Sequence, residues 1–297
     1  MAKEIFGNQA LLVTPMMPDG SLDIKSLQGM IDYVIEGGVH GILLLGSTGE
    51  FFSLTARERC EVMRAAADQT RGRVALGLGT ADTGTALVVQ TTAEAAAIGA
   101  DYVLVTPPYY SPLAMNTEEG LLQFFKAIGT ASSVPVMLYD GGAGIEIPTA
   151  VIRRISKEVP KVRAIKLNVA NPAKVSAVKD AGLLAFCGTD ALTMLMLGYG
   201  IDGFTLGVAN LLPRETTALY DRFSKGEKQA ARDVFYSSLL PFINVTLASL
   251  PQYIACFKMV LYWKGLIQSP AVRPPLVPLD ETRSTELKAV AQRIGLI

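Results

Sequence analysis

GILLLGSTGE, residues 41–50, runs from an unbroken apolar segment into a loop of glycines and small hydroxyl residues. The helix-like stretch TARERCEVMRAAADQT, residues 55–70, follows it. An apolar run without alternation is the signature of a strand buried on both faces. The same unit recurs along the chain. Further runs are ALLVTPM from Ala10, VALGLGT from Val74, YVLVTPP from Tyr102, VPVMLYD from Val134, VRAIKLN from Val162, LLAFCGT from Leu183 and GFTLGVA from Gly203. These eight runs are spaced by roughly 20 to 33 residues, the size of a strand-helix unit. Between them lie amphipathic segments. In DIKSLQGMIDYVIEGG the residues Ile24, Leu27, Met30, Ile31, Val34 and Ile35 share one helical face, with Gly37 and Gly38 as stop signals. Thr55 followed by Glu58 predicts a capping box.

Eight such units predict an α/β fold, a (β/α)₈ TIM barrel, with a doubly wound open sheet as the alternative. The barrel is placed at residues 1–220. Beyond it, residues 221–297 read as a C-terminal helical region packed on the barrel, within one chain domain. The stretches ALYDRFSKGEKQAARDVFYSSLLPFINVTL, PQYIACFKMVLYWKGL and STELKAVAQRIGL are its predicted helices.

The 297 residues carry 27 basic and 27 acidic side chains, with half the chain apolar. That is too apolar for a disordered chain. Zero net charge gives no footprint for nucleic acid or an anionic membrane. No apolar run approaches the roughly 20 residues of a bilayer span, and the N-terminus shows no signal-peptide pattern. Cys60, Cys187 and Cys256 are read as reduced thiols of a cytoplasmic protein.

In a (β/α)₈ barrel the chemistry sits where the strands end. Those positions hold Ser47, Thr48, Thr106, Tyr109, Tyr110, Tyr139, Asp140, Lys166, Asn168, Gly188, Thr189, Asp190, Thr205 and Asn210. Lys166 is the most informative. It interrupts an otherwise apolar strand, where an ammonium is costly, and a free amine facing a barrel mouth is what imine formation needs. A salt-bridged structural lysine is the competing reading. Tyr139 and Tyr110 can pass protons if they reach the same pocket. The GSTGE loop can aim backbone N–H groups at a carboxylate. His40, the sole histidine, precedes the second strand and is read as structural. No His/Cys/carboxylate spacing suggests a metal. Gly77-Leu78-Gly79 lacks the third glycine of a dinucleotide fingerprint, and no P-loop is present.

PDGSLD (18–23), GSTGEFFSL (46–54), TPPYY (106–110), LYD (138–140), AIKL (164–167), CGTD (187–190) and GVAN (207–210) together resemble the dihydrodipicolinate synthase/N-acetylneuraminate lyase family of class I lyases. The resemblance covers almost the whole chain. It implies a cofactor-free enzyme in which Lys166 forms a covalent imine with pyruvate or a related 2-oxo acid. Tyr139 matches the general acid/base and Thr48 the relay hydroxyl. Tyr110 matches a tyrosine reaching in from a neighbouring subunit of a homo-oligomer, usually a tetramer built as a dimer of dimers. The substrate carboxylate is expected on the Ser47 and Thr48 N–H groups, with Thr205 lining the site.

The chain departs from that pattern after the strand-five tyrosine. The synthase branch has an arginine there for the second substrate's carboxylate, and here the loop is Asp140-Gly141-Gly142-Ala143-Gly144-Ile145. Leu167 replaces an acidic residue of that branch. Asp190 matches a hydroxyl-binding position of the neuraminate lyases, but Ala191 replaces the glutamate that follows. The expected function is therefore aldol cleavage, or dehydration, of a 2-keto-3-deoxy sugar acid, held by Asn168, Asp190, Gly188 and the strand-five loop. Dihydrodipicolinate synthase, condensing pyruvate with aspartate semialdehyde, is the alternative. A catalytically silent binding or regulatory relative is the alternative of another class.

Overall fold

The computed structural model describes residues 3–110 and 117–297. The expected absence of a leader segment touches Met1 and Ala2, which lie outside the described residues. The strands are β1 (Gly7–Leu11), β2 (Gly41–Leu44), β3 (Ala75–Gly79), β4 (Tyr102–Val105), β5 (Val136–Asp140), β6 (Val162–Leu167), β7 (Leu184–Cys187) and β8 (Gly203–Leu206). They follow chain order in a closed barrel, which bears out the (β/α)₈ expectation and removes the open sheet.

β1 lies upstream of its apolar run. It begins at Gly7 rather than Ala10, because polar Asn8 and Gln9 are buried with it. Asn8 donates from Nδ2 to the hydroxyls of Thr216 and Thr217, at 2.9 and 3.0 Å. Gln9 lies over Gly41, where a Cβ would collide with its side-chain amide.

The described residues divide into two compact units. One comprises Met1–Phe6 and Ala75–Thr205, the other Gly7–Val74 and Leu206–Ile297. The first unit holds α3 (Thr85–Ile98), α4 (Glu118–Ala131), α5 (Thr149–Glu158), α6 (Pro172–Asp180) and α7 (Thr193–Gly198). Its interior is filled by large side chains over glycines; the Tyr102 ring occupies the space a Cβ on Gly77 would need.

The second unit holds α1 (Ile24–Glu36), α2 (Ala56–Thr70), α8 (Pro213–Ser224), α9 (Lys228–Val234), α10 (Leu240–Leu247), α11 (Tyr253–Trp263) and α12 (Glu281–Arg293). The stretch expected as one helix over 218–247 is broken twice. Gly226 turns the chain at φ +82° between α8 and α9. A π-helical turn, Phe235–Leu239, then precedes α10. Pro241 has no N–H for the regular helical ladder, which gives the break a cause. No single helix among the described residues is long and apolar enough to cross a membrane.

His40 is structural, as expected. Its Nδ1 accepts the Asn8 N–H at 3.0 Å and its Nε2 faces Asp221 at 3.5 Å. Burial holds its pKa below the ordinary histidine range. The three cysteines are free thiols, Cys187 and Cys256 buried and Cys60 partly so.

The predicted capping box at the start of α2 is present, and Glu58 has a second task. It binds the Arg273 guanidinium through both carboxylate oxygens, one contact at 3.0 Å. That pairing holds its pKa down at about 2. A carboxylate depressed in the folded state stabilises fully above its unfolded pKa, and the contribution is lost as pH falls through the folded value. The stability difference between wild type and Glu58→Gln, read as a urea midpoint, should therefore be full above about pH 5 and vanish towards pH 2. A difference that does not change with pH would contradict the pairing.

Candidate active site

Polar residues cluster where β5, β6 and β7 end. β5 and β6 pair in parallel with Tyr139 opposite Lys166. Residues in register on neighbouring strands project to the same side of the sheet, so the two side chains meet. The Lys166 side chain is buried, 1% exposed. Its Nζ lies 4.0 Å from the centre of the Tyr139 ring. An amine on the face of a tyrosine has its phenol within reach of any group bonded to the nitrogen.

Asn168 stands two residues beyond Lys166, on the same side by strand alternation. Its Nδ2 donates to the Tyr139 hydroxyl at 2.7 Å. Its Oδ1 faces the Thr189 hydroxyl at 3.4 Å. Two glycines make this packing possible. A Cβ on Gly188 would collide with Lys166 Cε and Asn168 Oδ1 and stand 2.9 Å from Lys166 Cγ. A Cβ on Gly142 would stand 2.7 Å from Tyr139 Cδ1 and 3.0 Å from Thr106 Cγ2. Gly188, expected to bind substrate, is thus seen here as the seat of the lysine stem. Gly188→Ala should lower turnover by about 100-fold, the usual cost of displacing a reacting group by about 1 Å. Unchanged kinetics with an intact fold would show that Lys166 does not need this seat.

The other candidates at these strand ends are less connected. Thr205 on β8 is fully buried and its hydroxyl has no hydrogen-bond partner; such a group asks for a ligand or water. Asp190 is buried after β7, and its carbonyl accepts from the Thr193 hydroxyl at 2.9 Å. Tyr110 is 72% exposed, and among the described residues nothing joins it to Tyr139 or Lys166. Burial pushes the Cys187 thiol up to about 12, so it is no nucleophile at neutral pH.

Asp140 belongs to the opposite face of β5. Its carboxylate pairs with Lys174 of α6 at 2.6 Å and accepts the Ile147 N–H at 2.5 Å. Lys174 also binds Glu146 at 3.0 Å. These contacts pin both ends of the turn at Gly142–Gly144. Strand alternation puts Asp140 on the face opposite Tyr139, but its partner in α6 lies too far along the chain for either segment to announce the clamp.

The second unit carries the GSTGE loop. Its 3₁₀ turn spans Ser47–Gly49, with Gly49 N–H donating to Gly46 O and Glu50 N–H to Ser47 O. The N–H groups of Ser47 and Thr48 are therefore the turn's unpaired start. Thr48 is buried and Ser47 exposed. Glu50 is held at φ +55°, a left-handed conformation that costs a non-glycine residue energy. A fully buried ion pair with Lys258 of α11 keeps it there. Its other oxygen accepts the Arg273 N–H at 3.0 Å, and Lys258 also donates to Ala271 O at 2.8 Å. Desolvation lowers the Lys258 pKa. Asn210 is likewise structural. It bonds Leu11 O, Gly207 O and the Val13 N–H at 2.7, 2.7 and 3.0 Å. Among the described residues no group of three or more His, Cys, Asp or Glu could hold a metal ion.

Residues 5–294 match the Dihydrodipicolinate synthetase family. The 4-hydroxy-tetrahydrodipicolinate synthase of Pelobacter propionicus is 32% identical over 299 residues, covering 98% of this chain and 99% of the relative. A prophage protein of the dihydrodipicolinic acid synthase family from E. coli K12, solved in complex with pyruvate, superposes with a TM-score of 0.91 at 28% identity, covering 98% of this chain and 99% of that one. A monomeric dihydrodipicolinate synthase variant superposes with a TM-score of 0.91 at 27% identity, covering 99% and 98%.

Proposed function

We propose that this chain, which belongs to the dihydrodipicolinate synthetase family, uses Lys166 to form an imine with pyruvate. The chain is an enzyme of the class I, lysine Schiff-base lyase type. The observation that carries the assignment to Lys166 is its buried amine, 4.0 Å over the Tyr139 ring in a strand register that makes the two meet. The amine attacks the pyruvate C2 carbonyl, water leaves, and the imine nitrogen draws electrons from C2. Loss of a C3 proton then gives an enamine, the carbon nucleophile of a condensation and the product of the reverse cleavage. Tyr139 passes the proton. Thr48 keeps its relay role, and Ser47 and Thr48 their carboxylate role, from the resemblance. The unpaired N–H groups of their turn support the latter. Asp190 and the orphan Thr205 hydroxyl are assigned to substrate polar groups. No cofactor is required, because the lysine itself supplies the electron sink.

The second substrate is read in two ways. The relatives' names favour condensation of pyruvate with aspartate semialdehyde, the alternative of the sequence reading, over cleavage of a keto-deoxy sugar acid. The strand-five turn favours cleavage as a second reading. It offers no cation of its own, and Lys174, the cation tied to that loop, is engaged with Asp140 and Glu146. An aspartate semialdehyde carboxylate would lack its charge-assisted partner there. Two assays separate the readings: pyruvate consumption with aspartate semialdehyde, and pyruvate release from 2-keto-3-deoxy sugar acids. Activity only in the second would overturn the synthase reading. We assign Tyr110 to a neighbouring copy's site in a homo-oligomer, a dimer of dimers by resemblance. Sedimentation as an active monomer would exclude that assignment.

A further inference from the structure

We infer that Asn168 is a positioning residue for the Tyr139 hydroxyl, setting the oxygen that moves the proton, rather than a ligand of the substrate. The inference rests on the reading of Lys166 and Tyr139 above and deepens it.

Asn168 is held on several sides. Its backbone N–H donates to Asp140 O at 3.1 Å, across from β5. Its backbone carbonyl oxygen accepts from the Thr189 hydroxyl at 3.3 Å, beyond β7. A Cβ on Gly141 would stand 3.1 Å from Asn168 Cβ, and one on Gly188 would collide with Oδ1. Both glycines leave the room this side chain fills. Held so, the amide spends Nδ2 on Tyr139 at 2.7 Å and turns Oδ1 towards Thr189. One Nδ2 N–H and one side of Oδ1 are thus engaged by protein before substrate arrives.

That bond has a chemical direction. A phenol oxygen has one O–H and two lone pairs. The Asn168 N–H occupies one lone pair, leaves the O–H and the other lone pair free, and fixes the direction in which they point. In the enamine step the C3–H bond of the protonated imine breaks. Its electron pair becomes the C2–C3 double bond, and the C–N π pair returns to nitrogen. The proton goes to the Tyr139 oxygen. An N–H donor on that oxygen fixes where it stands when the proton arrives.

The test uses pyruvate alone, so it needs no knowledge of the second substrate. Two readings are taken: exchange of the pyruvate methyl protons with D₂O by NMR as a function of pyruvate concentration, and the fraction of chain trapped by borohydride. The variants are Asn168→Ala, Asn168→Asp and Tyr139→Phe. Asn168→Asp keeps the shape, replaces the donor by an acceptor, and guards against a fold lost on truncation. Both Asn168 variants should trap pyruvate as wild type does. Exchange should fall about tenfold in the Ala variant, the size of one lost hydrogen bond, and further in the Asp variant. In a Tyr139→Phe background, removing the amide should change nothing further. Unchanged exchange at saturating pyruvate with a raised KM for pyruvate would make Asn168 a substrate ligand and overturn the inference. Wild type that forms no imine would instead sink the Lys166 reading, and this inference with it.

Discussion

Lys166→Ala should lose turnover by about four orders of magnitude or more, the scale seen when a covalent nucleophile is removed, while the chain stays folded. The fold should survive because the lysine stem fills space against Gly188 and its amine rests on a ring face. Alanine leaves a polar-lined gap at strand ends rather than an unpaired buried charge. A lysine that served only to hold Tyr139 would give a different result. Its loss would then be recovered in part by arginine, which is also cationic, whereas arginine cannot replace it in imine chemistry. Lys166→Arg should therefore be as inactive as Lys166→Ala. Turnover retained in either variant would remove the lysine from the mechanism.

The second large effect is on stability. Lys258 and Glu50 are both fully buried and paired. Lys258→Met leaves a carboxylate buried with only the Arg273 N–H to satisfy it. Breaking one side of such a pair costs about 3–5 kcal/mol. The double variant Lys258→Met/Glu50→Gln should recover much of that loss, because no unpaired charge remains. Urea unfolding of the two single variants and the double gives the coupling directly. Additive losses would mean that the two charges do not support one another. The pair also holds Glu50 at φ +55° beside the Ser47–Gly49 turn.

The strands were legible because burial on both faces leaves a run with no alternation, and eight of them recur at one spacing. Lys166 and Tyr139 were legible for the opposite reason, as polar groups inside such runs. Their meeting was not, since register is set by packing across β5 and β6 rather than by either segment alone. Asp140 stands at the end of β5 as the run predicts, and period two puts it on the face opposite Tyr139, where it pairs with Lys174. The glutamate of GSTGE, read only as part of a loop, is a structural anchor whose partner lies in α11. Nothing local in either segment encodes that pair. Asn168 stands after the lysine strand, where a polar residue can face substrate; its bond to Tyr139 depends on Gly141 and Gly188 leaving room, which only three dimensions reveal. The missing arginine of the strand-five loop favours cleavage, and the relatives' names favour condensation.

The measurement that bears most directly on all of this is borohydride reduction in the presence of pyruvate, read by intact mass and peptide mapping. The predicted result is one reduced pyruvate adduct per chain, on the peptide containing Lys166, absent from Lys166→Ala. An adduct on another lysine, or none on a folded chain, would contradict the account.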